Sequence, residues 1–138
     1  MSPRTKAPSP KRRSALKWSL FAAMAAVALA MDLVTKHLAE QRLPLGEIDR
    51  VLPFFYLQRT ANSGAAFGLF GGKTAWIIVA NVIALLVVVL YVLFERRPVL
   101  GGIAGGAVIG GSLGNMIQRL TADGLVTDFL KFPRWPNF

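Results

Sequence analysis

Residues 73–94 read KTAWIIVANVIALLVVVLYVLF, and no charged side chain follows Lys73 in this stretch. A helix needs roughly 20 consecutive apolar residues to cross the hydrocarbon core of a bilayer. The stretch therefore predicts a transmembrane helix. Two further apolar segments flank it, at residues 18–38 and at the glycine-rich residues 99–117. The predicted fold class is an all-α transmembrane bundle, with three spans in this chain.

The composition agrees with a membrane protein. In a chain of 138 residues, 54% of the side chains are hydrophobic and the mean hydropathy is +0.48, both high for a soluble domain. The sequence contains no cysteine. Disulfides, thiolate metal sites and cysteine nucleophiles are therefore excluded.

The net charge of +9 is concentrated at two places. One group precedes the first span and the other separates the second span from the third: Arg4, Lys6, Lys11, Arg12, Arg13 and Lys17, then Arg96 and Arg97. A three-span topology puts both groups on one side, as the positive-inside rule requires. It places the N-terminus inside, and the loop 39–72 and the tail 118–138 outside. No aromatic residues interleave with the basic cluster, so no nucleic-acid partner is expected.

Residues 1–17 are rich in proline, serine and basic side chains. This composition predicts a disordered basic cytoplasmic arm. An alternative interpretation is a secretory signal peptide, because a basic segment and an apolar run lead to Ala28-Leu29-Ala30, which resembles a cleavage site. An intact N-terminus on the mature protein would exclude this alternative.

Charged residues close the first span. Asp32 and Lys36 are four residues apart, with the acid on the N-terminal side, which is the better orientation for pairing on a helix. The pair could face a polar cavity, or it could lie at the interface and only fix the depth of the helix. His37 has no partner set for zinc or for a catalytic triad and is expected to be interfacial.

The segment between the first two spans has a different pattern. Aromatic and β-branched residues at 48–57 are bounded by prolines and glycines, which predicts short strands. The outer loop 39–72 is therefore expected to be β-rich and to lie near the lipid headgroups. Asn62-Ser63-Gly64 is a turn signal on its own chemistry.

A row of glycines at every fourth position lines the third span: Gly102, Gly106, Gly110 and Gly114. Small residues at this spacing allow close helix packing in lipid. Asn115 and Arg119 continue nearly the same stripe, so its far end is polar. Arg119 could contribute to a cavity or extend to the headgroups. Asp128 follows in the tail, and a carboxylate where a span meets water is a candidate functional group.

Four motifs in this order resemble the signal peptidase II family of bacterial lipoprotein signal peptidases. They are Asp32-Leu-Val-Thr-Lys36, Asn62-Ser-Gly-Ala-Ala-Phe67, Gly110-Gly-Ser-Leu-Gly-Asn115 with Arg119, and Val126-Thr-Asp128-Phe129. The resemblance covers residues 18–138, which it identifies as a membrane peptidase domain. It implies an aspartic endopeptidase with four spans and a β-rich cradle outside the bacterial cytoplasmic membrane. The implied substrate is a diacylglyceryl-modified prolipoprotein, cleaved before its lipid-modified cysteine.

The resemblance also assigns roles to individual residues. Asp128 matches the first catalytic aspartate. Positions that shape or contact the substrate are matched by Asn62, Gly64, Asn115 and Arg119, while Asp32 and Lys36 match the supporting motif on the first helix. Two neighbouring carboxylates can share a proton, so that one acts as base and the other as acid. The resemblance implies no metal or cofactor. The expected partners are the prolipoprotein substrate and membrane lipid, and the protein is expected to be a monomer.

This chain departs from the family pattern in three places. Gln118 stands where the family usually has aspartate, and the interval from Arg119 to Asp128 is one residue longer than usual. The second catalytic aspartate belongs to a motif for which Trp135-Pro136-Asn137-Phe138 resembles the lead-in, and it would follow about four residues later. Asp123 is expected to be a solvated loop residue rather than a substitute. A C-terminally incomplete, weakly active or inactive peptidase is therefore expected.

Two alternatives stay open. The chain could be a non-catalytic, degenerate homologue that binds acylated substrate or acts as a small membrane scaffold. It could also be a subunit of a small transporter, although it lacks an ionisable residue at mid-membrane depth, where transport sites usually lie.

Overall fold

A computed structural model describes residues 9–52, 55–63 and 74–131. This part of the chain forms three long helices and one antiparallel sheet. The helices are α1 (Pro10–Arg42), α2 (Thr74–Phe94) and α3 (Pro98–Thr121), and the strands are β1 (Ile48–Leu52), β2 (Phe55–Asn62) and β3 (Val126–Lys131). All three helices are long and apolar enough to cross a membrane. The helices expected from the three apolar segments are therefore present, with a small sheet beside them, and their crossing of a membrane stays a prediction.

Helix α1 begins at Pro10 rather than at residue 18, so the prediction of a disordered arm over residues 1–17 is wrong for residues 10–17. The side chain of Ser9 accepts a hydrogen bond from the Arg12 amide, and proline occupies the first turn. Both features favour a helix start, and the basic residues that follow are good helix formers. Residues 1–8 lie outside the described part of the chain.

Lys17, two turns into α1, links this helix to the C-terminal end of α2. Lys17 Nζ donates to the carbonyl oxygens of Val92 and Glu95, at 2.6 and 3.1 Å. The last carbonyls of a helix have no partner within the helix, and a cation there also interacts favourably with the helix dipole. The contact places the C-terminus of α2 beside the N-terminal half of α1.

Helices α1 and α3 run in the same direction and pack through the row of glycines. A methyl group at Gly102 would lie 2.6 Å from the Lys17 carbonyl oxygen, and one at Gly106 would lie 2.5 Å from that of Phe21. One turn further on, a methyl group at Gly110 would likewise overlap the Ala25 carbonyl oxygen. Because any side chain would force the backbones apart, the predicted role of the glycines in close packing is confirmed.

The sheet has the strand order β1-β2-β3, and both pairs are antiparallel. In the second pair, Thr60 lies opposite Asp128 and Asn62 lies opposite Val126. Strand β3 lies in the segment 118–138, for which the sequence pattern predicted only an outer tail. A tight turn at Asp123 and Gly124, both with positive φ of 48° and 82°, reverses the chain after α3 and leads into β3.

Large apolar side chains remain exposed along the helices. Ile83, Leu86, Val87 and Leu90 are all exposed on α2, and Phe94 at its end is 81% exposed. Soluble monomers rarely leave an apolar surface this extensive. The exposed surface therefore fits a helix bundle that is surrounded by lipid.

Candidate active site

The carboxylate of Asp128 lies on β3 beside the end of β2. Asn62 Nδ2 donates to Asp128 Oδ2 at 2.7 Å, and Thr60 Oγ1 donates to the Asp128 backbone oxygen at 3.4 Å. The first distance is typical of a strong hydrogen bond to a charged acceptor. Asp128 is exposed, so its carboxylate is accessible to water while the amide of Asn62 restricts its orientation.

Arg119 lies in the last turn of α3, near Asp128 but without a direct ion pair to its carboxylate. Its charge interacts with that of Asp128, and its Nη1 donates to the Gly124 backbone oxygen at 3.3 Å. Its Nε is buried and makes no hydrogen bond within the described residues. The turn after α3 thus fixes the guanidinium near β3, and Arg119 faces the sheet and the turn.

A second polar cluster lies between α1 and α3. Lys36 Nζ contacts Asp32 Oδ2 at 2.7 Å and Asn115 Oδ1 at 2.5 Å. Only 6% of the Lys36 side chain and 23% of the Asp32 side chain are exposed. The predicted pair therefore forms, and it is buried between helices. Gly114 leaves room for the Asp32 carboxylate, because a methyl group there would overlap it.

A third group of polar residues joins both helices to β3. Gln118 Nε2 donates to Glu40 Oε1 at 3.0 Å, and Thr127 Oγ1 donates to the same Glu40 oxygen at 2.5 Å. The Thr127 amide donates to Gln118 Oε1 at 3.0 Å. Sequence reasoning did not find this network. Its signal was periodicity, since Glu40 follows Asp32 and Lys36 at the same four-residue spacing.

The structure brings the predicted residues together in two clusters rather than one. Asn62 is hydrogen-bonded to Asp128 and Arg119 lies near enough to interact with its charge, whereas Asn115 joins Asp32 and Lys36. Gly64 and residues 135–138 lie outside the described part of the chain. Asp123 is exposed in the turn before β3. Within the described ranges, no group of three His, Cys, Asp or Glu residues could hold a metal ion.

These features are those of a class of membrane proteins: helices long and apolar enough to cross a bilayer, with polar side chains and a small sheet gathered at one end. The sequence model of the signal peptidase II family, a family of peptidases, matches residues 24–138. A multi-pass protein of the bacterial inner membrane is consistent with both findings.

Relatives and a solved structure agree with this match. The lipoprotein signal peptidase of Symbiobacterium thermophilum is 42% identical over 83% of this chain and 79% of its own length. That of Mesorhizobium japonicum is 35% identical over 86% of this chain and 72% of its own. A bacterial membrane enzyme solved by the in meso method at 1.9 Å superimposes with a TM-score of 0.71, at 26% identity, over 84% of this chain and 78% of its own. The chain belongs to the signal peptidase II family.

Proposed function

We propose that this protein is an aspartic endopeptidase that removes signal peptides from prolipoproteins by cleaving before the lipid-modified cysteine. The relatives named lipoprotein signal peptidase support the substrate class. One observation carries the proposal for this chain. Asp128 is an exposed carboxylate, hydrogen-bonded to Asn62 and close to the charge of Arg119, at the polar end of an apolar helix bundle.

Asp128 is proposed to be one of two carboxylates in the reaction. Peptide hydrolysis requires a base that takes a proton from the attacking water and an acid that gives a proton to the leaving amine. Two carboxylates that share one proton can perform both steps. A second carboxylate is expected on the basis of the family resemblance alone, and this stays a prediction.

The remaining site residues are proposed to serve Asp128 and the substrate. Asn62 orients the carboxylate, and Arg119 supplies a positive charge beside the scissile peptide. Lys36 is proposed to hold Asn115 in place, because its ammonium lies between Asn115 and Asp32. A substrate contact at Gly64 is proposed from the family resemblance alone.

The proposed orientation places the sheet and Asp128 outside the cytoplasmic membrane. Helices α1 and α3 are parallel, and α2 is antiparallel to both. This arrangement puts Lys11, Arg12 and Arg13 at the same end as Arg96 and Arg97, opposite the sheet. Basic residues favour the cytoplasmic side. The lipid chains of the substrate would then contact the apolar outer surface of the helices. The protein is proposed to act as a monomer.

The test compares two Asp→Asn variants in the protein expressed from its complete gene, with a diacylglyceryl-modified prolipoprotein peptide as substrate. Asp128→Asn should lower the cleavage rate by at least about 10²-fold, because the acid–base group is lost. Asp49→Asn is the matched control, since Asp49 is exposed on β1, at the other edge of the sheet. Full activity of Asp128→Asn would overturn the proposal. Tight binding of the lipopeptide by the wild-type protein without cleavage would instead support the non-catalytic alternative.

A further inference from the structure

We propose that Glu40 and Gln118 form a carboxylate–amide clamp that positions β3, and with it Asp128, against the ends of α1 and α3. The inference rests on the proposed function, because it assigns the two residues a positioning role for the catalytic carboxylate. The clamp consists of the three hydrogen bonds that join Glu40, Gln118 and Thr127, at 2.5 to 3.0 Å.

The clamp requires an amide side chain at either position 40 or position 118. Gln118 donates to Glu40 through Nε2 and accepts from the Thr127 amide through Oε1. A carboxylate has acceptors only, whereas an amide has both donors and acceptors. Two ionised carboxylates at positions 40 and 118 would offer acceptors only, so their direct hydrogen bond would be lost unless one of them took up a proton. Exchanging the two side chains would again give one amide and one carboxylate, so that a donor would lie between positions 40 and 118.

The clamp reaches Asp128 through its neighbour in the strand. Successive side chains of a strand point to opposite faces, so fixing Thr127 against Glu40 and Gln118 places the Asp128 side chain on the other face of β3. Asn62 receives the carboxylate on that face. The Thr127 amide bonds to a side chain outside the sheet, so Gln118 also satisfies the edge of β3.

Glu40 holds the neighbouring strand as well. Its backbone oxygen accepts from Arg59 Nη1 on β2 at 3.1 Å. Both strands that carry the Asn62–Asp128 pair are therefore tied to the same turn of α1. A small displacement of one strand would change the distance between the amide and the carboxylate, and misplacement by about 1 Å can lower a rate by about 10²-fold.

The experiment uses three variants of the full protein: Gln118→Glu, Glu40→Gln and the double exchange. For each, kcat and KM for the lipidated peptide are measured together with hydrogen–deuterium exchange of the amides in β3. Gln118→Glu should lower kcat by about 10- to 100-fold with a smaller change in KM, and it should speed exchange at Thr127. Glu40→Gln keeps one amide donor and should have the milder effect. The double exchange should return kcat to within about threefold of wild type.

Gln41→Glu is the matched control, because it introduces the same charge at an exposed position of α1 beside Glu40, where the side chain contacts His37 and not the clamp. It should leave both kcat and exchange in β3 unchanged. The clamp is refuted if the double exchange is no more active than Gln118→Glu, or if exchange at Thr127 is the same in all variants. A wild-type protein that cleaves no lipopeptide would count against the proposed function, while the exchange measurement would still decide the clamp.

Discussion

Asn62 Nδ2 and Asp128 Oδ2 lie 2.7 Å apart, although the two residues are 66 positions apart in the sequence. The antiparallel pairing of β2 with β3 brings them together, since Thr60 is opposite Asp128 and Asn62 lies two residues further along β2. The short contact fixes one oxygen of an exposed carboxylate. Sheet register therefore determines the geometry of the proposed catalytic group.

Substitution of Asn62 should impair cleavage, and a substitution that introduces a negative charge should impair it more than a neutral one. Asn62→Ala removes the hydrogen bond to the carboxylate and should lower kcat by about 10-fold or more, since hydrogen bonds to charged groups contribute about 1.5–3 kcal/mol. Asn62→Asp places a like charge at 2.7 Å from Oδ2 and should have a larger effect. Steady-state cleavage of the lipidated peptide measures both. Equal rates for Asn62→Asp and wild type would show that this contact has no role.

Loss of the Lys36 ammonium should destabilise the helix pair. In Lys36→Met, the Asp32 carboxylate and the Asn115 oxygen would face each other without the shared donor. A partly buried charge that loses its partner should reduce the free energy of unfolding by about 2–4 kcal/mol. Thermal unfolding in detergent micelles gives the change. Lys11→Met, at an exposed position of the same helix, is the control and should be neutral.

The same prediction can be tested by partial rescue. Adding Asp32→Asn to Lys36→Met removes the unpaired charge and should recover part of the lost stability. A double variant as unstable as Lys36→Met alone would contradict the assignment of Asp32 as the main partner of Lys36.

Two glycines of α3 should respond in opposite ways to alanine. In Gly106→Ala, the methyl group would lie 2.5 Å from the Phe21 carbonyl oxygen, so the helices must separate, at a cost of about 1–3 kcal/mol. At Gly111, no atom of the described residues beyond its own stretch of helix backbone lies within 4 Å of the position of such a methyl group. Gly111→Ala should therefore be stabilising by up to about 1 kcal/mol, through helix propensity alone. Unfolding midpoints that fall equally for both variants would contradict the packing of α1 on α3.

The turn between α2 and α3 should contribute a pH-dependent stability. The Arg97 amide and the Tyr91 hydroxyl both donate to the Glu95 carboxylate, and they lower the pKa of Glu95 from its ordinary value of 4.5. The contribution is fully present above pH 4.5 and is lost as the pH falls through the lower pKa of the folded state. The stability difference between wild type and Glu95→Gln should therefore shrink below that pH.

Glu47→Gln is the control for this pH series. Glu47 is exposed in the segment before β1, and its substitution should leave the pH dependence of unfolding unchanged. A Glu95→Gln variant with the same pH dependence as the wild type between pH 3 and 5 would contradict the role of the two donors.

The sequence predicted the features that depend on local spacing. The glycine row repeats every four residues, and Asp32 lies one turn before Lys36, so both patterns are visible in a single helix. The second partner of Lys36 was not predictable, because Asn115 is 79 residues away and its contact depends on how α1 and α3 pack.

Dependence on contacts between distant segments also explains why strand β3 and the Glu40–Gln118 network were not predicted. Strand β3 is only six residues long, and its pairing with β2 is decided by the turn at Asp123 and Gly124 and by the Thr127 contacts. Glu40 and Gln118 are ordinary polar residues in sequence, and only their approach across two helices makes them a network. Tertiary contacts between distant segments leave little trace in one sequence.

The most direct test of the central claim is the mass of the products formed from a diacylglyceryl-modified prolipoprotein by the wild-type protein and by Asp128→Asn. The proposed function predicts that the wild type releases a signal peptide and a product whose first residue is the lipid-modified cysteine, and that Asp128→Asn leaves the substrate intact. Equal processing by Asp128→Asn, or cleavage at a different bond by the wild type, would contradict it.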